Sequence, residues 1–215
     1  MDARTKYTQA AIAAGGIWLW SAAHAAWGRD SEMWPGLLEL IPETGTVWCA
    51  GVATGEEALT LAARTPDTVS IVASDVMLPA LKTAWEGAYP RGMVAAAVEA
   101  GDITRDEAAR IFADYDEAGE WLHVDEAISA RIRWWPHDLV EHSPLTSVDV
   151  VLCRNVLTSI PRQDRAGVVD RLAQMGVPVV VGTSDLLHAG REWLARFAPA
   201  DRVFVLRPDK AASRT

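Results

Sequence analysis

Short apolar runs alternate with helical segments along most of this chain. Five apolar runs are predicted to be strands, at 46–50, 69–74, 148–153, 177–182 and 202–206. They lack the alternation of apolar and polar residues that is typical of a strand with one face exposed to solvent. A sixth strand is predicted at 131–135. Strands without such alternation are typically buried on both faces of a sheet. Strands separated by helices form parallel sheets through right-handed crossovers. The pattern predicts an α/β fold with a doubly wound, mostly parallel, Rossmann-like sheet.

Two segments depart from this alternation. Residues 1–45 are rich in Ala and Trp and predict an N-terminal helical cap ahead of a sheet domain at 46–210. A charged insert at about 90–130 interrupts the sheet pattern, and its Thr104 and Glu107 fit a capping box at the start of a helix. Because the insert follows a strand and a helix, it adjoins the sheet edge where ligands bind. It is either a substrate-facing subdomain or a solvated structural insert.

Composition excludes several classes of protein. A chain of 215 residues that is 50% hydrophobic and 23% charged is expected to form one globular domain. It has no apolar run of membrane-spanning length and no signal-peptide pattern, so we expect a soluble, cytoplasmic protein. A net charge of −9 disfavours nucleic acid and anionic membranes as partners. Two cysteines that end apolar runs and five scattered histidines give no metal-binding spacing.

The most informative segment is the first strand-to-helix turn, W-C-A-G-V-A-T-G-E-E at 48–57. Gly51 lets a ligand approach the main chain, and Gly55 lets the following helix pack against the sheet. Glu56 and Glu57 place two carboxylates in the first helical turn, where a phosphate would need free amides. Since G-x-G-x-x-G and G-K-[ST] are also absent, the turn disfavours NAD, FAD, ATP and GTP.

A carboxylate also ends the second predicted strand. Asp75 follows Gly51 by 24 residues and can accept hydrogen bonds from both hydroxyls of a ribose. A cofactor that has a ribose, ammonium and sulfonium groups but no phosphate would be attracted by these acids, and S-adenosylmethionine (SAM) meets that description. The alternative is purely structural, with Glu56 or Glu57 as a favourable first-turn acid and Asp75 as a helix cap.

Five motifs follow one another between about residues 25 and 207: WGRD at 27–30, WCAGVATGEEALTLA at 48–62, ASDVMLPALKTAWEGAY at 73–89, CRNVL at 153–157 and GTSD at 182–185. In order and spacing they resemble the F-F-R-D, W-S-A-G-x-S-T-G-E-E, A-[ST]-D-I, C-R-N-V-L/M and G-H-S-E motifs of the catalytic domain of CheR-type methyltransferases. Those enzymes methylate glutamates of chemotaxis receptors and use SAM. The resemblance implies a class I SAM-dependent methyltransferase fold with SAM as the cofactor.

The resemblance also implies where the cofactor lies. Glu57 corresponds to the residue on the methionine amine side, and Asp75 to the residue at the ribose. Asp138 and Leu139 stand where the family has an asparagine-leucine pair by the adenine. Asn155 belongs to the C-R-N motif, which lines the active site beside the cofactor.

Two arginines are implied at the acceptor side. Arg29 stands where the family's arginine faces substrate and methyl donor, and its planar fork suits a carboxylate. Arg154 is the arginine of C-R-N. The alternatives are a surface charge for Arg29 and a local ion pair for Arg154. Ser159 replaces a family tyrosine, and few residues precede Arg29 where chemotaxis enzymes carry a receptor-docking domain, so we expect a divergent, stand-alone member.

Tryptophan is unusually frequent, with ten residues against three each of Tyr and Phe. Indole faces attract cations such as sulfonium and ammonium. The tryptophans near the motifs therefore either wall the cofactor pocket or belong to the core; they are Trp18, Trp20, Trp27, Trp34, Trp134 and Trp135.

The sequence thus predicts a SAM-dependent transferase that methylates a small-molecule carboxylate, amine or hydroxyl by in-line displacement. A carboxylate acceptor needs no base, whereas the others need a proton acceptor, for which Asp30, His137 and Asp185 are candidates. Three alternatives remain open. They are protein-glutamate O-methylation, cyclisation of SAM to methylthioadenosine and a cyclic amino acid, and a non-catalytic SAM-binding regulatory module.

Overall fold

The computed structural model describes residues 9–10, 13–14, 26–142, 144–199 and 205–208. Most of the cap predicted at 1–45, including Trp18 and Trp20, lies outside these residues. The strands are β1 (Gly45–Ala50), β2 (Val69–Asp75), β3 (Ala88–Pro90), β4 (Trp121–His123), β5 (Ile132–Pro136), β6 (Val150–Cys153), β7 (Val179–Val181), β8 (Phe197–Pro199) and β9 (Val205–Pro208). The helices are α1 (Trp34–Leu38), α2 (Glu56–Arg64), α3 (Leu78–Glu86), α4 (Arg91–Ala100), α5 (Arg105–Ile111), α6 (Glu126–Ser129), α7 (Arg162–Gln174) and α8 (Thr183–Leu194).

Seven strands form the central sheet in the order β5-β2-β1-β6-β7-β9-β8. The first five are parallel, and β9 pairs antiparallel with both β7 and β8. The predicted doubly wound, mostly parallel sheet is therefore confirmed. Among the described residues, no helix is long and apolar enough to cross a membrane.

The sheet is buried on both faces because successive side chains of its inner strands enter different cores. Val47 and Cys49 of β1 belong to one apolar cluster, which α2 also joins. Trp48 and Ala50 of the same strand belong to a second cluster, which α7 contributes to. This double burial explains why the predicted strands lack polar alternation.

The antiparallel end of the sheet contains a short strand that the sequence pattern does not predict. The helix α8 ends at Leu194, and Phe197 begins β8. Phe197 is buried, and its ring meets that of Trp193 edge to face at 5.7 Å. A three-residue strand with one such anchor has too short a pattern to reveal its period.

The charged segment at about 90–130 is part of the core. It contains α4, α5, β4 and α6, and β4 pairs antiparallel with β3. The predicted capping box is present, since Thr104 Oγ1 accepts from the Glu107 amide and the Glu107 carboxylate accepts from the Thr104 amide. Phe112 is buried with its ring edge-on to Trp27 and Tyr89. The segment's apolar side chains complete the first cluster, and most of its charged side chains face solvent.

Candidate active site

The carboxyl ends of β1, β2, β5 and β6 meet at one edge of the sheet, where ligands bind in folds of this type. The glycine turn after β1 is docked on the end of β2, because the amides of Gly51 and Val52 donate to Ser74 O at 2.7 and 3.0 Å. Gly51 has φ +78°, and a Cβ there would lie 2.5 Å from a methyl of Val156. Only glycine fits between this turn and the loop after β6.

The second glycine of the turn fits α2 against its neighbours. Gly55 has φ +93°, and a Cβ would lie 2.8 Å from the ring of Trp134 and 2.9 Å from Ala84 Cβ. A side chain at this position would push α2 away from β5 and α3. The structure therefore places Gly55 at a close contact between the turn and two other elements.

Asp75, at the tip of β2, joins three chain segments. Its Oδ2 accepts from the Ala53 amide at 2.8 Å and its Oδ1 from the Met77 amide at 2.7 Å. Its main-chain oxygen accepts from the His137 amide at 3.1 Å. Each carboxylate oxygen retains a further lone pair, so the side chain can accept from a ligand as well.

A cavity of about 310 Å³ opens beside Asp75, within the usual size range of small-molecule sites. We refer to it as the large cavity. It is lined by the glycine turn, the end of β2, and the loops after β5 and β6, namely Gly51, Ala53, Asp75, Val76, Met77, His137, Asp138, Leu139, Val140, Asn155, Val156, Ser159 and Ile160. Among the described residues, the lining has two carboxylates and no Lys or Arg, so it favours hydrogen-bond donors and cations.

The loop after β5 is fixed by three sets of hydrogen bonds. Asp138 Oδ1 accepts from the Val140 amide at 2.7 Å, and the Asp138 amide donates to His142 Nδ1 at 3.0 Å. From α7, Arg171 donates to Leu139 O and, at 2.8 Å, to Val140 O. The backbone beside the cavity is therefore held from both sides.

His137 is a buried imidazole on the wall of the large cavity. Its ring lies edge-on to Trp48, with centroids 5.3 Å apart, and at the same distance from His142. Its Nε2 is shut off from solvent and has no hydrogen-bond partner among the described residues. Burial, and next His142, lower the pKa of His137, which keeps the ring neutral at neutral pH.

Arg154 is the centre of a buried ion network. Its side chain is 3% exposed, and it donates to Asp30 Oδ2 at 3.0 Å, to Arg29 O at 2.6 Å and to Glu57 Oε1 at 3.2 Å. Burial by itself lowers the pKa of Arg154, but Glu57 and Asp30 outweigh it and hold the pKa above its usual value. The predicted local ion pairing of Arg154 is present, and both of its carboxylate partners lie at the site.

A small cavity of about 30 Å³ adjoins this network and shares Gly51, Ala53 and Asn155 with the large cavity. Its lining residues are Ala26, Arg29, Gly51, Val52, Ala53, Glu57, Arg154 and Asn155. Glu56, predicted to share the role of Glu57, is instead fully buried and accepts from Thr54 Oγ1 at 2.7 and 2.9 Å. The paired-acid interpretation is wrong for Glu56, because adjacent residues of a helix point about 100° apart.

The C-R-N and G-T-S-D motifs form one interlocked unit. Asn155 has φ +58°, and its Oδ1 accepts from the Ser184 amide at 3.1 Å. Asp185 is fully buried and accepts from the amides of Thr158 and Gly182 at 3.3 and 3.5 Å. Burial raises the pKa of Asp185, and neighbouring main-chain amides oppose that shift. Because Asp185 lines neither cavity, it is not placed to take a proton from an acceptor.

The four described tryptophans near the motifs do not line either cavity. Trp27 and Trp34 are buried in the first apolar cluster, and Trp134 packs under Gly55. Trp135 is partly exposed, with the Arg133 guanidinium 4.4 Å from its ring. Trp27, Trp34 and Trp134 therefore belong to the core, as one of the two interpretations predicted. The other interpretation, that these tryptophans wall the cofactor pocket, is wrong for all four.

A model of the SAM-binding domain of CheR methyltransferases matches residues 29–203, which is most of the chain. The chain belongs to the CheR methyltransferase family. No curated protein sequence gives a significant match. Within the part of the chain that the structure describes, no group of three or more His, Cys, Asp or Glu is arranged to hold a metal ion.

Solved structures of methyltransferases have similar folds. The glycopeptide N-methyltransferase MtfA with S-adenosylhomocysteine is 12% identical, with a TM-score of 0.46 over 74% of this chain and 49% of that one. The methyltransferase domain of bacterial CtHen1-CN is 14% identical, with a TM-score of 0.46 over 72% and 64%. A SAM-dependent methyltransferase from Aquifex aeolicus is 13% identical, with a TM-score of 0.43 over 71% and 62%. The chain spans about half to two thirds of the length of these proteins.

SAM is the cofactor of this CheR domain, and the residues present fit it. Gly51, Ala53 and Asn155 line both cavities, so one extended ligand can contact the turn from either cavity. Asp75 and Asp138 offer acceptors for hydroxyl and amine donors, and Glu57 offers an anion for an ammonium group. Sequence reasoning missed His142 and Arg171, which anchor the loop after β5, because neither belongs to a family motif.

Proposed function

We propose that this CheR-family protein transfers a methyl group from SAM to a small-molecule acceptor. The observation that carries the proposal is a cavity with two acidic groups that shares Gly51, Ala53 and Asn155 with a small cavity lined by Glu57. When bound, SAM supplies a methyl group on a positively charged sulfur. The protein contributes alignment, exclusion of water and the handling of any proton.

Each acidic residue has a distinct role in this proposal. Asp75 accepts from the ribose hydroxyls while the amides of Ala53 and Met77 hold its carboxylate in place. Asp138 accepts from the amino group of adenine, which Leu139 packs against. Glu57 binds the ammonium of the methionine portion, and its bond to Arg154 fixes its orientation.

Arg29 and Asn155 complete the acceptor side of the proposal. Both line the small cavity, so a carboxylate acceptor near Arg29 would lie close to the methionine portion of the cofactor. Arg154 is less suited to contact an acceptor, because Asp30, Glu57 and Arg29 O already occupy its guanidinium. We assign it a positioning role.

The loop after β6 contributes uncharged side chains to the lining of the large cavity, namely Val156, Ser159 and Ile160, and this favours a small acceptor over a charged protein segment. None of the three candidate bases is well placed for an amine or a hydroxyl acceptor, since His137 lies beside Asp138 on the proposed adenine side and its Nε2 is buried. Asp30 is paired with Arg154, and Asp185 is buried against main-chain amides.

Calorimetric titration with S-adenosylhomocysteine and mass spectrometry of the by-product test the proposal. Incubation with SAM and a filtered small-molecule extract should release S-adenosylhomocysteine, and SAM alone should be stable. Release of methylthioadenosine from SAM alone would indicate cyclisation. Binding without consumption would indicate a regulatory module, and turnover only with a glutamate-containing protein would indicate protein methylation. Absence of binding would overturn the assignment of the site.

A further inference from the structure

The loop after β5 depends on a lone pair of a histidine. The Asp138 amide donates to His142 Nδ1 at 3.0 Å. Since a main-chain amide is always a donor, Nδ1 must be unprotonated in this arrangement, and the neutral ring carries its proton on Nε2. His142 is exposed to solvent, so a proton can reach it without any opening of the fold.

Protonation of His142 at Nδ1 would place its N–H against the Asp138 amide, which is also a donor. The hydrogen bond to the Asp138 amide would be lost, and the cationic ring would turn away from it. Asp138 Oδ1 is itself tied to the loop through the Val140 amide at 2.7 Å. Displacement of the Asp138 backbone would therefore move the carboxylate that lines the large cavity.

The groups around His142 are few and come from two elements. On the same loop are His137, whose ring centroid is 5.3 Å away, and Asp138. From α7, Arg171 binds Leu139 O and Val140 O. Because a guanidinium does not titrate, Arg171 keeps its hydrogen bonds to these two carbonyls at every pH.

We propose that His142 is a positioning residue for the cofactor: its Nδ1 lone pair holds Asp138 toward the large cavity, and protonation of the ring releases Asp138 and weakens SAM binding. The inference rests on the proposed function, since it takes the adenine to lie at Asp138. The affinity for the cofactor should therefore decrease as the pH falls from neutral to mildly acidic values.

Titration of the full chain with S-adenosylhomocysteine at pH 7.5 and 5.5 tests this inference. Asp and Glu carboxylates ordinarily stay ionised over this range, whereas histidines titrate within it. Loss of one hydrogen bond predicts roughly threefold to tenfold weaker binding at pH 5.5. His142→Asn supplies an amide oxygen close to the position of Nδ1, so it should keep the affinity of pH 7.5 and lose the pH dependence. His142→Leu should bind weakly at both values.

Glu141→Gln, at an exposed neighbour, is the matched control and should behave as the wild type does. The inference is overturned if His142→Asn keeps the full pH dependence, which would point to His137, or if His142→Leu binds as tightly as the wild type. Absence of binding by the wild type at pH 7.5 would instead reject the proposed function. Exchange of the Asp138 amide proton then tests the hydrogen bond directly: equal protection in the wild type and His142→Leu would overturn the role of His142.

Discussion

Asn155 Oδ1 lies where a side chain at Gly182 would have to be, 2.1 Å from the position of an ideal Cβ. Gly182→Ala must therefore displace Asn155, which borders both cavities. We expect at least about tenfold weaker binding of S-adenosylhomocysteine and a loss of roughly 1–3 kcal/mol in unfolding free energy. Gly190→Ala is the control, because a Cβ there meets nothing within 4 Å. Unchanged affinity in Gly182→Ala would contradict the contact.

Asp75→Asn should weaken cofactor binding by about tenfold or more, as expected for a charged hydrogen bond worth roughly 1.5–3 kcal/mol. An amide has one acceptor oxygen, so its NH₂ group would face the amide of Ala53 or Met77. Calorimetric titration with S-adenosylhomocysteine measures the effect. Asp149→Asn is a matched control, since Asp149 also accepts from a main-chain amide, that of Thr46, at the opposite end of β1. Both variants should lose stability, and only Asp75→Asn should lose affinity.

Arg154→Met should destabilise the fold by about 3 kcal/mol or more, because it leaves Asp30 and Glu57 without their shared cation. Adding Asp30→Asn to this variant should restore part of the loss by removing one uncompensated charge. Urea denaturation of the two variants measures the difference. For comparison, Lys82→Met breaks an exposed pair with Glu86 and should cost at most about 0.5 kcal/mol. A double variant less stable than Arg154→Met would contradict the network.

His137→Phe should flatten the pH dependence of stability. Burial lowers the pKa of His137 in the folded chain, so below the ordinary histidine pKa of about 6.5 the unfolded chain binds a proton that the folded chain does not. The wild type should therefore lose unfolding free energy as pH falls from 7.5 to 5.5, and His137→Phe should lose less. Urea titrations at both values decide the matter, and parallel losses in the two proteins would refute it.

The fold could be predicted where strands are largely buried. The runs at 46–50 and 69–74 correspond to β1 and β2, in which most side chains are buried. β8 could not be predicted, because its formation depends on pairing with β9 rather than on its own pattern. The role of the 90–130 segment in the core was likewise hidden, since its buried apolar residues are interspersed with charged ones.

The motif residues of the site could be predicted from the sequence, whereas the residues that hold them in place could not. Gly51, Asp75 and Asn155 lie together at the strand tips, as parallel topology requires. The burial of Glu56 depends on Thr54, and the anchoring of Leu139 depends on Arg171, which is 32 residues away in sequence. Contacts of this kind follow from how the helices dock, which no local spacing encodes.

The contact of Phe112 with Trp27 has a consequence for protein engineering. A residue that precedes the first strand and a residue of the 90–130 segment share one patch of interior, although 85 positions separate them. A chimera that borrows this segment from another methyltransferase would have to bring a compatible partner for Trp27 with it. Selectivity is thus better altered by point changes along the cavity wall than by exchanging blocks.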